Sequence, residues 1–341
     1  MFRKKVRGWR SLFCLLFFCT SPLPVAPVVK PIIVVYPAWK HNDLALKSLP
    51  WSNFSHVSIS GVFPTDEGLL TQDADSFIQE LVSLCHQNNK KVILSIGGAG
   101  LSSKGFIEIT KDSAKFARFV GTVVRYVHVY GLDGIDIDWE YWTFQSELDK
   151  GGRDPVESEG LLRLVATLRS VLPESALLTV DIAPGAWLGD QYPVDLQKYV
   201  NYVNLMAFDF TGPWKSSKIG YHSNFSMFKK AVGYALDKGF RPDKLLVGLP
   251  AYGIEFVNGE SNEVKHVDFR EVVKRVNAGG TKLSANRLKN LYFENGDSIA
   301  EKCLYINKRK LAGVFLFHIL SDHPSPEFSL LTACTEFITP L

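Results

Sequence analysis

The chain has 341 residues, 46% of them hydrophobic and 21% charged, with 38 Lys and Arg against 35 Asp and Glu. Five of those bases and none of those acids lie in residues 1–26, so the remainder carries 33 against 35, a net charge of −2. That balance argues against a nucleic-acid or anionic-membrane partner.

Residues 1–26 carry the marks of a secretory leader. The start is basic (Arg3, Lys4, Lys5, Arg7, Arg10), an apolar run follows from Leu12 to Phe18, and Pro22-Leu23-Pro24-Val25-Ala26 closes it. The run is far shorter than the roughly 20 residues that span a bilayer. The expectation is an exported protein, secreted or periplasmic, with no membrane span and residues 27–341 as its working part. Of the five cysteines, Cys85, Cys303 and Cys334 lie beyond the leader, and no pair has metal-type spacing. Cys303 and Cys334 flank the last predicted strand and pair if their helices are adjacent; buried free thiols are the other reading. The eight histidines form no His-Glu-x-x-His cluster. We therefore expect no metal, no cofactor and a monomer.

Short apolar, β-branched runs alternate with amphipathic helical stretches, the pattern of parallel βα units. The predicted strands are Ile32–Tyr36, His56–Gly61, Lys91–Ile96, Gly134–Asp138, Leu177–Ile182, Tyr202–Ala207, Leu245–Leu249 and Gly313–Phe317. Helical patterns between them include Asp75–Asn88, Ser113–Val129, Ser158–Leu172, Phe225–Lys238 and Val267–Val276. Eight such units predict an α/β fold, a (β/α)8 barrel, with a modest insertion at about residues 251–291 between the seventh and eighth strands. An open doubly wound sheet is the alternative, but no Gly-x-Gly-x-x-Gly follows the first strand.

The most informative run is Leu132-Asp133-Gly134-Ile135-Asp136-Ile137-Asp138-Trp139-Glu140. Side chains on a strand alternate between faces, so Asp136, Asp138 and Glu140 share one face, with Cα atoms two apart separated by roughly 6.6 Å. A solvated edge strand shows the same alternation, but a closed barrel has no edges. Facing the interior, three neighbouring carboxyl groups cannot all ionise, and at least one keeps its proton to higher pH. Such an acid, at the C-terminal end of a barrel strand, suits hydrolysis of a glycosidic bond.

This run resembles the Asp-x-x-Asp-x-Asp-x-Glu signature of the family-18 glycoside hydrolases, the chitinase family. Ser95-Ile96-Gly97-Gly98 is similar to the family's Ser-x-Gly-Gly at the third strand, and Asn204-Leu205-Met206-Ala207-Phe208-Asp209 to its Met-x-Tyr-Asp at the sixth. Thr211-Gly212-Pro213-Trp214 with Gly220-Tyr221-His222-Ser223 resembles the following loop of bacterial members. Gly248-Leu249-Pro250-Ala251-Tyr252-Gly253 resembles the end of the seventh strand. The resemblance implies a retaining, substrate-assisted hydrolysis of β-1,4 bonds beside N-acetylglucosamine, in chitin or its oligosaccharides. Glu140 is then the general acid and base, Asp138 orients the substrate's acetamido group, and Asp136 shares its proton. It also implies that Met206 and Asp209 line the acetamido pocket, while Asp133, on the opposite parity, is structural.

Two positions depart from that pattern. Phe208 replaces the family's Tyr, deleting a hydroxyl, and Phe317 stands where the eighth strand normally ends in Trp. These departures leave open a chitinase-like carbohydrate-binding protein that hydrolyses weakly or not at all. An endo-β-N-acetylglucosaminidase acting on N-glycans or peptidoglycan is a further alternative. Tyr36, Trp39, Trp142, Trp187, Trp214 and Tyr252 are the candidates for stacking on sugar rings.

Overall fold

A computed structural model describes residues 30–41, 43–71, 75–140, 155–184, 191–213, 217–260 and 263–338. The leader assigned to residues 1–26 and the sugar-stacking candidates Trp142, Trp187 and Trp214 lie outside the described residues.

The strands in chain order are β1 Ile32–Pro37, β2 His56–Val62, β3 Lys91–Gly98, β4 Gly134–Trp139, β5 Leu177–Ile182, β6 Tyr202–Leu205, β7 Leu245–Pro250, β8 Tyr252–Phe256, β9 Val264–Asp268, β10 Arg287–Leu288, β11 Leu291–Tyr292 and β12 Gly313–Phe317. The helices are α1 Asp43–Lys47, α2 Asp75–Gln87, α3 Lys104–Lys111, α4 Ser113–Tyr130, α5 Pro155–Val171, α6 Phe225–Asp237, α7 Phe269–Ala278, α8 Gly296–Lys308 and α9 Leu330–Phe337. Eight parallel strands close into a barrel in the order β1-β12-β7-β6-β5-β4-β3-β2. This is the (β/α)8 fold, and its strands read as nearly continuous apolar runs because helices cover their outer face. Among the described residues no helix is long and apolar enough to cross a membrane.

Local chemistry sets the helix ends. The Asp112 carboxylate accepts from the N–H groups of Ala114 and Lys115 to start α4, and Gly131 (φ 66°) ends it in the left-handed region. The Asn224 side chain caps α6 by accepting from Met227 N–H.

The structure differs from the sequence reading in two places. The stretch between β7 and β12 contains a four-stranded antiparallel sheet, ordered β10-β11-β8-β9, as well as the predicted helix. Strands of two to five residues leave too short an alternation to stand out in a polar sequence. The sixth barrel strand ends at Leu205 rather than Ala207. Ala207 N–H turns back to Leu205 O (2.8 Å) and Phe208 N–H to Met206 O (2.9 Å), which coils the chain tightly towards the barrel mouth.

Cys303 and Cys334 are buried free thiols with sulfurs 3.6 Å apart, because α8 and α9 pack side by side. Asp133 is structural, at the opposite end of β4 from the acidic row: its Oδ2 accepts from Val92 N–H (2.8 Å) and meets His86 Nε2 at 2.9 Å.

Candidate active site

Parallel register puts Asp136 level with Ser95 on β3 and Thr179 on β5, and Asp138 level with Gly97. Gly97 (φ 115°) has no substitute there, since a Cβ would lie 2.1 Å from Asp138 O. Asp181 on β5 is level with Asn204 on β6. These side chains point into the barrel and form one wall of a cleft of about 1050 Å³ at its mouth.

The wall is a ladder of shared hydrogens. Asp136 Oδ2 accepts from Ser95 Oγ (2.7 Å), and Oδ1 from Thr179 Oγ1 (2.5 Å) and Asn204 Nδ2 (3.1 Å). The other amide hydrogen of Asn204 goes to Asp181 Oδ1 at 2.6 Å. Asp138 Oδ1 is buried and has no hydrogen-bond partner among the described residues. Glu140, just beyond β4, is held through its backbone: its N–H donates to Ser103 Oγ (3.1 Å), which lies 2.6 Å from Gly98 O and 3.1 Å from Asp138 O. Behind it, Trp139 packs its ring on Phe106 at 5.0 Å, and Tyr192 donates to Trp139 O at 2.9 Å.

Four acids so close, and so far from water, cannot all ionise together, and each is harder to ionise than in water. Burial first, then the charges of Asp138 and Asp209, push Glu140 well above the usual carboxylate range. Burial and the charge of Asp136 push Asp138 up to about 8. Burial also raises Asp136, against the opposing hydrogen bonds from Thr179, Ser95 and Asp181. Glu140 is thus an acid that keeps its proton to higher pH than an ordinary carboxyl group, and it lines the cleft.

The opposite wall is aromatic. The coil after β6 delivers Met206, Phe208 and Asp209, the last with φ 54°. Phe208 lies with its ring centroid 6.0 Å from Phe315, 6.0 Å from Phe317 and 6.4 Å from Tyr252. Gly248 makes room for it, since a Cβ there would meet the Phe208 ring at 2.5 Å and that of Phe315 at 2.7 Å. Asp209 is the charged member of this wall. Its Oδ1 accepts from the Tyr252 hydroxyl at 2.6 Å and meets His222 Nδ1 at 3.2 Å. Burial pushes its carboxyl up, but the His222 hydrogen bond, the charges of His222 and His266 and the Tyr252 hydroxyl outweigh it and hold the group below its ordinary range.

The structure brings together Asp136, Asp138, Glu140, Met206, Phe208, Asp209, Tyr252 and Phe317 around one cleft, with Trp39 at its rim. Tyr36 is a correction to the sequence reading. Ile33 and Val35 face the cleft, so Tyr36 has the opposite parity; its ring is fully buried, 6.2 Å from Phe77, and its hydroxyl meets His41 Nδ1 at 2.9 Å. Asp181 escaped the sequence reading, although Thr179 and Asp181 alternate with apolar residues on β5 as the acids do on β4. His222, His266, Asp268, His318 and Ser321 also escaped it. Four of these, His266, Asp268, His318 and Ser321, line the cleft from a short strand or from loops that carry no periodic signal, and Asp268 joins two lining residues by accepting from Lys40 Nζ and Ser321 Oγ, each at 2.6 Å.

Comparison with known proteins bears on the fold and the family. The chain is 26% identical over 278 residues to "Probable chitinase 2" of Drosophila melanogaster, which covers 68% of this chain and 56% of that protein. It is 34% identical over 237 residues to "Sporulation-specific chitinase 2" of Saccharomyces cerevisiae, covering 60% of this chain and 44% of that protein. The chain thus spans about half the length of these curated relatives. Its fold superposes on that of a GH18 chitinase from Cycas revoluta in complex with (GlcNAc)3, with a TM-score of 0.77 at 20% identity, covering 91% of this chain and 100% of the other. The profile of glycosyl hydrolases family 18 matches residues 32–322, and the chain belongs to that family.

Proposed function

We propose that this chain hydrolyses β-1,4 bonds next to N-acetylglucosamine, in chitin or chito-oligosaccharides, by a retaining mechanism in which the substrate's own acetamido oxygen is the nucleophile. The observation that carries this reading is the pairing of Glu140, whose proton is held to higher pH, with a buried Asp138 Oδ1 that has no hydrogen-bond partner among the described residues, on the same strand face. The Glu140 carboxyl protonates the glycosidic oxygen as the acetamido oxygen attacks the anomeric carbon, breaking its bond to the leaving sugar. The ring that forms carries positive charge on nitrogen. Its N–H donates to Asp138 Oδ1, the acceptor left open, and the Asp138 carboxylate offsets the charge. Glu140, now a carboxylate, takes a proton from the water that opens the ring and restores the configuration. The two named relatives, both described as chitinases, support the substrate class.

The test is Glu140→Gln. Turnover of a chromogenic chitobioside is expected to fall by about 10²–10⁴-fold, the worth of a general acid, with KM within a few-fold of the wild type. Unchanged turnover overturns the assignment. Because the acid form of Glu140 is required, wild-type activity falls as pH rises through its raised titration range.

Carbohydrate binding without turnover is the second reading. It is favoured by Phe208 and Phe317 packing on each other at 6.0 Å, with neither ring carrying a hydrogen-bonding group towards an acetamido oxygen. Calorimetry that finds chitohexaose bound by the wild type but uncleaved at every pH supports that reading instead.

A further inference from the structure

Trp39 is a large apolar ring left 57% exposed at the rim of the cleft. Its neighbours nevertheless confine it. Gly61 on β2 (φ 114°) lets the ring lie against bare backbone, since a Cβ there would meet Ala38 Cβ at 2.9 Å and the Trp39 ring at 3.1 Å. The ring of His318 stands perpendicular to it, with centroids 6.2 Å apart.

Two routes lead from that ring to one carboxylate. Lys40, the next residue in the chain, places Nζ 2.6 Å from Asp268 Oδ1, and Ser321 Oγ donates to the same oxygen at 2.6 Å. Ser321 Oγ in turn lies 3.0 Å from His318 Nε2. Burial pushes the Asp268 carboxyl up, but the hydrogen bonds from Lys40 and Ser321 and the charge of Lys40 outweigh it and hold the group below its ordinary range. Asp268 is therefore a carboxylate that can only accept. Burial, and then the charge of Lys40, push His318 down to about 4, so its ring is neutral at pH 7. The single hydroxyl hydrogen of Ser321 goes to Asp268, so the hydrogen between Ser321 and His318 comes from Nε2. Hydrogens thus run from His318 through Ser321 to Asp268, and from Lys40 to the same oxygen.

These residues come from three segments far apart in the chain: the turn after β1, the end of β9 and the loop after β12. In the barrel β12 stands between β1 and β7, and Asp268 is level with Tyr252, just past β7. Asp268 therefore draws together the segments on both sides of β12. The side chains of Lys40 and Asp268 are 36% and 35% exposed, and an ion pair so open to water adds little to the stability of the whole fold. Its consequence is local order at the rim.

We propose that Asp268 is a positioning residue for a sugar site beyond the one at Glu140: acting through Lys40 and through Ser321 and His318, it holds the Trp39 ring ready to stack on a further pyranose of the bound chain. The role rests on the reading of the cleft as a site for chains of N-acetylglucosamine. A ring already in place need not be ordered by the ligand, and that saving appears as affinity.

The test is a double-mutant cycle in binding, read by calorimetry with chitohexaose in a Glu140→Gln background, where the bound chain stays intact. Trp39→Ala should weaken binding by about fivefold or more. Asp268→Asn and Lys40→Met should each weaken it by about 3–10-fold, because the ligand must then order the ring itself. Adding Trp39→Ala to either variant should cost no more than about a further twofold. Lys40→Met changes a partly exposed side chain, so the cycle does not depend on the Asp268 variant folding. An equal cost of Trp39→Ala in all three backgrounds overturns the proposal, because a protein that is merely less stable leaves the contribution of the ring as it was. No loss in Trp39→Ala, or no binding of chitohexaose at all, overturns it too. A wild type that cleaves nothing while the coupling holds defeats the hydrolytic reading and supports the role of Asp268. A wild type that cleaves while the costs stay equal defeats that role alone.

Discussion

The two walls of the cleft are built on opposite principles. On the β4–β5 side, Asp136, Asp138 and Asp181 are placed by strand register, and the hydrogens that reach Asp136 and Asp181 come from fixed neighbours, Ser95, Thr179 and Asn204. On the β6–β12 side, Phe208, Phe315, Phe317 and Tyr252 are placed by ring packing, and the one hydroxyl among them is committed to Asp209. The difference shows in how each wall fails. A register-built polar wall loses function when one donor or acceptor is removed, because the partner left behind is buried and unpaired. A packed apolar wall absorbs substitutions of similar volume and changes gradually. That is where this chain departs from its family's pattern: both replacements, Phe208 and Phe317, fall on the packed wall, and they touch each other.

The largest expected effect tests what anchors the aromatic wall. Lys302 is fully buried, 2.8 Å from Glu294, and donates to Ser223 O and Oγ, while Ser223 Oγ donates to Ala207 O in the coil that carries Phe208 and Asp209. Lys302→Ala leaves Glu294 unpaired in the interior and should destabilise the protein by about 3–5 kcal/mol, read as a lower urea midpoint with unchanged slope. A loss below 1 kcal/mol would show that the coil is held by ring packing alone.

Next comes Asp138→Asn on the acid wall. Its kcat should fall by about 10²–10³-fold, or roughly 2.7–4 kcal/mol of transition-state stabilisation, with substrate still bound. Stability should move the other way. The folded-state titration of Asp138 is raised to about 8 by burial and by the charge of Asp136, so the folded state binds the extra proton between an ordinary carboxylate value and about pH 8. Stability conferred by the neutral form is therefore lost as pH rises through that window. The Asn variant, which cannot ionise, should gain in Tm over the wild type from pH 5 to pH 8. A constant Tm difference across that range would count against a buried, ionising Asp138.

The smallest effect separates the two walls most sharply. Phe208→Tyr restores a hydroxyl facing the cleft, and on the hydrolytic reading kcat/KM should rise by about tenfold, or roughly 1.4 kcal/mol. No gain would mean that Phe208 and Phe317 form a rebuilt surface for a different ligand.

Much of this was legible in the residues themselves. Eight apolar runs spaced by helical patterns imply a closed α/β barrel, because only a sheet covered on both faces tolerates strands so uniformly apolar. The alternation of Asp136, Asp138 and Glu140 with Ile135, Ile137 and Trp139 places three acids on one face whatever the rest of the chain does. The same rule, applied to Thr179 and Asp181, reaches the fourth acid. Tyr36 illustrates the same rule: its place at the end of the first strand pointed to the cleft, whereas strand parity turned the ring outwards against Phe77.

Periodicity alone thus determined the element order and which acids share a face, since both depend on backbone geometry within a single strand. Tertiary structure decided the rest. Which of those acids are supplied with donors depends on the register of strands far apart in sequence, and so does the isolation of Asp138 Oδ1. His222 and Tyr252 meet Asp209 only because a coil, an inserted sheet and the barrel mouth converge, a contact between segments that no local pattern encodes.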